Sequence, residues 1–204
     1  MKNLALAGVL ALGLSHAADA ATLLTVDLSV AGQITITATD GLSAATVSGG
    51  DVTGVYLQNF FSAAAAGFSI TDGSGNLTYA GTTSDGTPGV FRANSGTISD
   101  PGLNIFSLSD DPLDFTAGQL AFTGSATWVL DEVIYASLLA GPNGGSVFAP
   151  ADTVDDVADA RATLIGEWSR DSAIAAVPLP AGLPLLLMGF TGLAGLRMLK
   201  GRTT

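Results

Sequence analysis

Between residues 24 and 39 apolar and polar positions alternate one for one. Leu24, Val26, Leu28 and Val30 alternate with Thr25, Asp27 and Ser29; Ile34, Ile36 and Ala38 then alternate with Thr35, Thr37 and Thr39. A period of two marks a strand with one buried face, and Ala31-Gly32 turns the chain, so the stretch predicts a β-hairpin. Asp40-Gly41 and Gly49-Gly50-Asp51 bracket a weaker strand near Ala45 to Ser48. Val52 to Phe61 is rich in β-formers and predicts another. From Gly67 to Pro112 short β-prone pieces (Phe68–Thr71, Leu77–Tyr79, Val90–Arg92, Leu103–Leu108) alternate with Gly, Asp, Ser and Asn. That spacing suits an antiparallel sandwich.

A stronger strand is expected over Gln119 to Leu130, while Val133 to Leu139 fits strand or helix equally. Gly141-Pro142-Asn143-Gly144-Gly145 reads as a loop. One helix is expected from about Thr153 to Ala160, where apolar positions take helical spacing and Thr153 with Asp156 resembles a capping box. Ala162 to Trp168 also fits a closing strand. The predicted fold is therefore mainly β, an antiparallel, jelly-roll-like sandwich with one short helix near its C-terminal end. No repeat of 20 to 50 residues points to a solenoid.

The two ends follow other patterns. Met1-Lys2-Asn3, the apolar run Leu4 to Leu14 and Ala18-Asp19-Ala20 make a positive start, an apolar core and a small-residue site. Together they predict a signal helix cut by signal peptidase after Ala20. At the other end, two closely spaced prolines, Pro178 and Pro180, break regular structure. An apolar run from Leu183 to Leu196 follows, closed by Arg197, Lys200 and Arg202. At about 1.5 Å per residue, the uncharged stretch Ala181 to Leu196 spans roughly 24 Å against a hydrocarbon core of about 30 Å. It predicts a short transmembrane helix whose basic end stops in the cytoplasm.

The string Val177-Pro178-Leu179-Pro180-Ala181-Gly182, the apolar run and the basic end together resemble the VPLPA-CTERM variant of the PEP-CTERM sorting signals. The resemblance covers about 26 of the 204 residues. It implies recognition by an exosortase-type enzyme, removal of the tail near the signature, and transient or permanent residence in the inner membrane before display at the cell surface or in the matrix. The expected organisation is a signal peptide (1–20), an acidic β-rich extracytoplasmic domain (21–170), a spacer with signature (171–182), and a membrane helix with basic tail (183–204).

Charge then limits the partners. Residues 21–182 hold 17 acidic and three basic residues, a net charge of −14. Nucleic acid and anionic lipid surfaces are repelled by such a body. Extracellular polysaccharide remains an admissible partner. The chemistry is limited further by what is missing. His16 is the only histidine, Lys2 and Lys200 are the only lysines, and there is no cysteine, so the body 21–182 has none of the three. Ser-His-Asp, Cys-His and Ser-Lys systems, Schiff-base chemistry and His- or Cys-ligated zinc all lack their residues within one chain.

Several groups remain as candidates. Asp110, Asp111 and Asp114 around Pro112 are dense enough to hold a hard cation such as calcium, or form a solvated turn. Asp72 to Asn76 has oxygen ligands at alternate positions but lacks the Gly and Glu of an EF-hand. Asp131, Glu132 and Glu167 are the carboxylates a glycosidase could pair. Phe60, Phe61, Tyr79, Trp128 and Trp168 are either a sugar-stacking platform or core. The expected function is an exported, non-catalytic surface or matrix protein without an obligatory cofactor. A carbohydrate- or calcium-binding module is the first alternative, and a carboxylate-based glycoside hydrolase the second.

Overall fold

A computed structural model describes residues 20–62, 66–84, 86–95 and 98–171. The chain divides into units 1–170 and 171–204, and of the second only Asp171 is among the described residues. The alternating stretch forms the expected hairpin: β1 (Thr22–Asp27) pairs antiparallel with β2 (Gln33–Ala38), and Leu24, Val26, Ile34 and Ile36 are buried. Next come β3 (Val47–Gly49), β4 (Val55–Leu57), β5 (Phe68–Ile70), β6 (Ser74–Gly75), β7 (Thr78–Tyr79), β8 (Gly89–Arg92), β9 (Asn94–Ser95) and β10 (Ile98–Ser99). The chain continues through β11 (Leu103–Phe106), β12 (Leu113–Phe115), β13 (Phe122–Thr123), β14 (Ser125–Val129), α1 (Glu132–Leu139), β15 (Gly144–Ala149), α2 (Val154–Ala158) and β16 (Thr163–Arg170).

Ten strands join one sheet in the order β5-β8-β11-β4-β15-β16-β1-β2-β14-β6. Laid flat at about 4.8 Å per strand, its edges would stand roughly 43 Å apart. Yet β5 ends at Ile70 and β6 begins at Ser74, a link that reaches at most about 14 Å. The sheet must curl until its two edges approach. Leu24, Val26, Ile34, Ile36, Val55, Leu57, Val90, Ile105, Val147 and Trp168 belong to the buried core cluster inside the curl. The outward side of β16, β1, β2 and β14 carries Ser169, Thr25, Thr37 and Ser125 in one row, with Thr35 and Thr127 in the next.

Four details correct the sequence reading. First, the sheet is mixed: β1 lies parallel to β16, with Val26 opposite Arg170. Second, there are two helices among the described residues. The ambiguous Val133–Leu139 stretch is helix α1, because the Asp131 carboxylate accepts the Ile134 N–H at 3.0 Å and Arg170 donates to the Leu138 and Leu139 carbonyls at the other end. Third, the capping box does not form. Thr153 makes no side-chain cap bond; the Val154 N–H goes to Asp100 Oδ2 at 2.7 Å and the Asp152 N–H to Asp156 Oδ2 at 3.1 Å. Fourth, the long strand expected over Gln119–Leu130 is split at Gly124, whose φ of +80° bends the backbone. Its halves take different partners: β13 pairs with β7, β14 with β2 and β6.

Candidate functional site

The residues expected to form a sorting signal, Val177, Pro178, Leu179, Pro180, Ala181 and Gly182, the basic residues Arg197, Lys200 and Arg202, and Ala18 all lie outside the described residues. So do the expected signal and membrane helices. Among the described residues no helix is long and apolar enough to cross a membrane. Ala20 is the first described residue and stands just before β1. The Ala21 carbonyl already accepts the Glu167 N–H at 2.9 Å, so the sheet uses the chain from that residue onward.

The acidic turn is open on both flanks. Asp110, Asp111 and Asp114 are all exposed, the last on β12 opposite Ser48. A depression of about 460 Å³ lies between Gly50–Val52 and Ser109–Pro112, and one of about 400 Å³ between Ser48, Thr82 and Asp111–Asp114. Neighbouring Asp51 spends both carboxylate oxygens on backbone, taking the Leu108 N–H at 3.2 Å and the Ser109 N–H at 3.3 Å. Among the described residues no group of three or more His, Cys, Asp or Glu side chains stands close enough to share a metal ion. The Asp72–Asn76 stretch is sheet edge: Ser74–Gly75 pairs with β14, and Asn76 Oδ1 faces the Ser125 N–H at 3.4 Å.

Of the carboxylates considered for hydrolysis, Asp131 caps α1, Glu132 is exposed in its first turn, and Glu167 is exposed on β16. The five aromatics considered as a stacking platform are core. Phe60, Phe61, Tyr79, Trp128 and Trp168 are each at most 2% exposed. The two indole N–H groups donate to the Pro88 and Gln58 carbonyls at 3.0 and 2.9 Å, which satisfies them within the fold.

A buried polar cluster holds the segment before β16 against the sheet. Asp100, 1% exposed, accepts the Tyr56 hydroxyl and the Gly102 N–H (2.7 Å) on Oδ1 and the Val154 N–H on Oδ2. Asn104 donates from Nδ2 to the Thr53 and Ala151 carbonyls at 2.7 and 2.8 Å. Burial, the hydrogen bond to Asp100 and its charge push the Tyr56 phenol well above its ordinary range. Burial likewise lowers the Arg92 guanidinium, opposed by the Asp100 charge, while its carbon lies 5.3 Å over the Phe61 ring. The Tyr79 phenol is pushed up by burial and by Asp51, toward which it reaches without closing a hydrogen bond of normal geometry.

Comparisons with protein-family models, curated proteins and solved structures find no match. The site therefore rests on geometry alone.

Sequence alternation alone does not distinguish one further feature of this geometry. Cross-strand register puts Ser69, Phe91, Asn104, Tyr56, Phe148 and Leu164 in one row on the sheet face opposite Val90, Ile105 and Val55. The segment around Ala151–Val154 covers Tyr56 and Asn104, which are 1% and 3% exposed. Phe91 and Phe106 stay half-buried, and with Val52, Ser69, Asn104 and Asp152 they line a groove of about 180 Å³. A Cβ on Gly89 would stand 2.4 to 2.8 Å from Cζ, Cε1 and Cε2 of Phe106. The phenyl ring thus occupies the space that the missing side chain leaves. Alternation in Val90-Phe91-Arg92 and Asn104-Ile105-Phe106 carried the signal, but alternation does not say which face is the core.

Proposed function

We propose that this chain is an exported, non-catalytic cell-surface or matrix protein, delivered through its C-terminal exosortase-type signal. The observation that carries the reading is the succession of sequence features in the tail: signature 177–182, apolar run 183–196 and basic end. The body is compatible with cleavage at both ends. Sheet pairing starts at Ala21, directly after the proposed signal cut, and β16 ends at Arg170 before the spacer. A body without His, Lys or Cys supports a role in binding or assembly, not covalent catalysis. We read its curled sheet as a sandwich of jelly-roll type, the shape that suits a robust extracellular module without disulfides.

Intact mass of the protein recovered from its host tests this directly. The expected species begins at Ala21 and ends near the signature, and deleting 177–204 abolishes surface association. Unchanged processing and cell association in the deletion would refute the sorting assignment.

A further inference from the structure

We propose that the groove formed by Phe91 and Phe106 is a binding site for one neutral hexopyranose unit of a polysaccharide. The inference deepens the surface-protein reading by naming the chemistry of its matrix partner. Three observations meet in it. The first is the placing of aromatic rings outside the core. Phe91 and Phe106 face away from the buried Val90 and Ile105, and Gly89 leaves the space over which the Phe106 ring extends. A half-buried ring held in this way can offer a face to the C–H side of a sugar ring without first losing conformational freedom.

The second is size and polarity. A groove of about 180 Å³ is well below the several hundred Å³ typical of drug-sized ligands, and has room for one six-membered ring of a chain that runs on into solvent. Its rim supplies a carboxylate (Asp152) and a hydroxyl (Ser69), groups that accept and donate hydrogen bonds to sugar hydroxyls, while the buried Asn104 amide is held by backbone carbonyls at the groove floor. Val52, 85% exposed, extends the apolar wall.

The third is charge. Asp152 lines the groove, Asp156 accepts its backbone N–H, and Asp100 lies under the same segment. With a body charge of −14, this carboxylate setting selects against uronate, sulfated or phosphorylated sugars. A neutral pyranose keeps the stacking and the hydrogen bonds without the repulsion.

The test is affinity electrophoresis of the protein as recovered from its host, whatever its ends, through gels containing glucomannan, dextran, galactan or, as the anionic control, polygalacturonate. At least one neutral gel is expected to retard the protein and polygalacturonate none. Phe106→Ala should weaken retardation by about tenfold. Phe106→Leu, which keeps apolar volume over Gly89 but removes the ring, should weaken it similarly, as should Gly89→Ala, which displaces the ring. Val133→Ala, exposed on α1, should leave it unchanged. Melting temperature identifies any variant that has lost its fold, and Phe106→Leu then decides. No retardation in any neutral gel, or full retardation of Phe106→Leu, would overturn the proposal. Equal retardation in polygalacturonate would do so too, as would displacement by tetramethylammonium chloride but not by sodium chloride, which would mark the groove as a cation site. These measurements do not depend on tail processing, so this inference and the sorting assignment can fail separately.

Discussion

Replacing Asp100 with asparagine tests the buried cluster that holds the 151–158 segment over the sheet. The carboxylate is 1% exposed and accepts three hydrogen bonds, from the Tyr56 hydroxyl, the Gly102 N–H and the Val154 N–H. Asparagine keeps one acceptor oxygen. With that oxygen left on Tyr56 and Gly102, its NH2 confronts the Val154 N–H, donor against donor. One charge-assisted bond is lost, worth about 1.5–3 kcal/mol, and two others lose their ionic component. The negative charge that opposes desolvation of Arg92 disappears as well. A total of about 3–4 kcal/mol is expected, a large part of the 5–15 kcal/mol typical of a domain. In urea, followed by fluorescence of the buried Trp128 and Trp168, the midpoint should fall by about 1.5–2 M for a slope near 2 kcal/mol/M. In a Tyr56→Phe background the same substitution should cost less by about 1 kcal/mol, because one partner is already gone. A shift under about 0.5 kcal/mol, or strict additivity with Tyr56→Phe, would refute the assignment of this cluster as a structural anchor.

Three further outcomes are expected. Tyr56 and Tyr79 both hold their protons more tightly folded than unfolded, so their contribution is complete below pH of about 10 and is lost as pH rises beyond it. Their tyrosinate absorbance should therefore appear together with loss of far-UV circular dichroism, and ionisation near pH 10 in an intact fold would contradict the placement. The Asp152 carboxyl is raised by burial and then by its hydrogen bond to Asp156, so ionising it disfavours the fold; the penalty is absent below the unfolded carboxyl pKa of about 4 and is present at neutral pH. Asp152→Asn should accordingly raise stability at pH 7 by under about 1 kcal/mol, since the residue is largely exposed, read as a higher melting temperature, and an equal gain at pH 3 would show another cause. Gly54 has φ of +72° and a Cβ there would stand 2.0 Å from the Ile105 carbonyl oxygen, so Gly54→Ala should destabilise by about 2–4 kcal/mol in the same urea assay.

Ala162–Trp168, most of it in β16, fits strand and continued helix alike, while the β1–β2 hairpin, β8 and β11 were legible in the sequence because alternation and turn residues act locally. β15 was not. Its first residues, Gly144 and Gly145, look like a loop, yet a Cβ on Gly145 would stand 2.2 Å from the Gln58 carbonyl oxygen and 2.8 Å from the Trp168 indole nitrogen. These glycines allow close approach between elements far apart in the chain, which local composition cannot distinguish from flexibility. The acidic turn shows the same limit: Leu113–Phe115 continues from it as β12 because β3 is there to pair with.

By itself the sequence determined the acidic charge of the body, the absence of His, Lys and Cys from it, and the β class, and it carries the patterns on which the terminal signals are proposed, all of which depend on residue type and near spacing. Only the tertiary structure decided which side of each alternating strand faces inward. Phe60, Phe61, Tyr79, Trp128 and Trp168 could have been a surface platform, and the curl of the sheet put them in the core. The same curl left Phe91 and Phe106 outside. A period of two divides residues between two faces, but the face that loses water is chosen by pairing over long distances, here β1 beside β16 and two sheet edges joined by three residues.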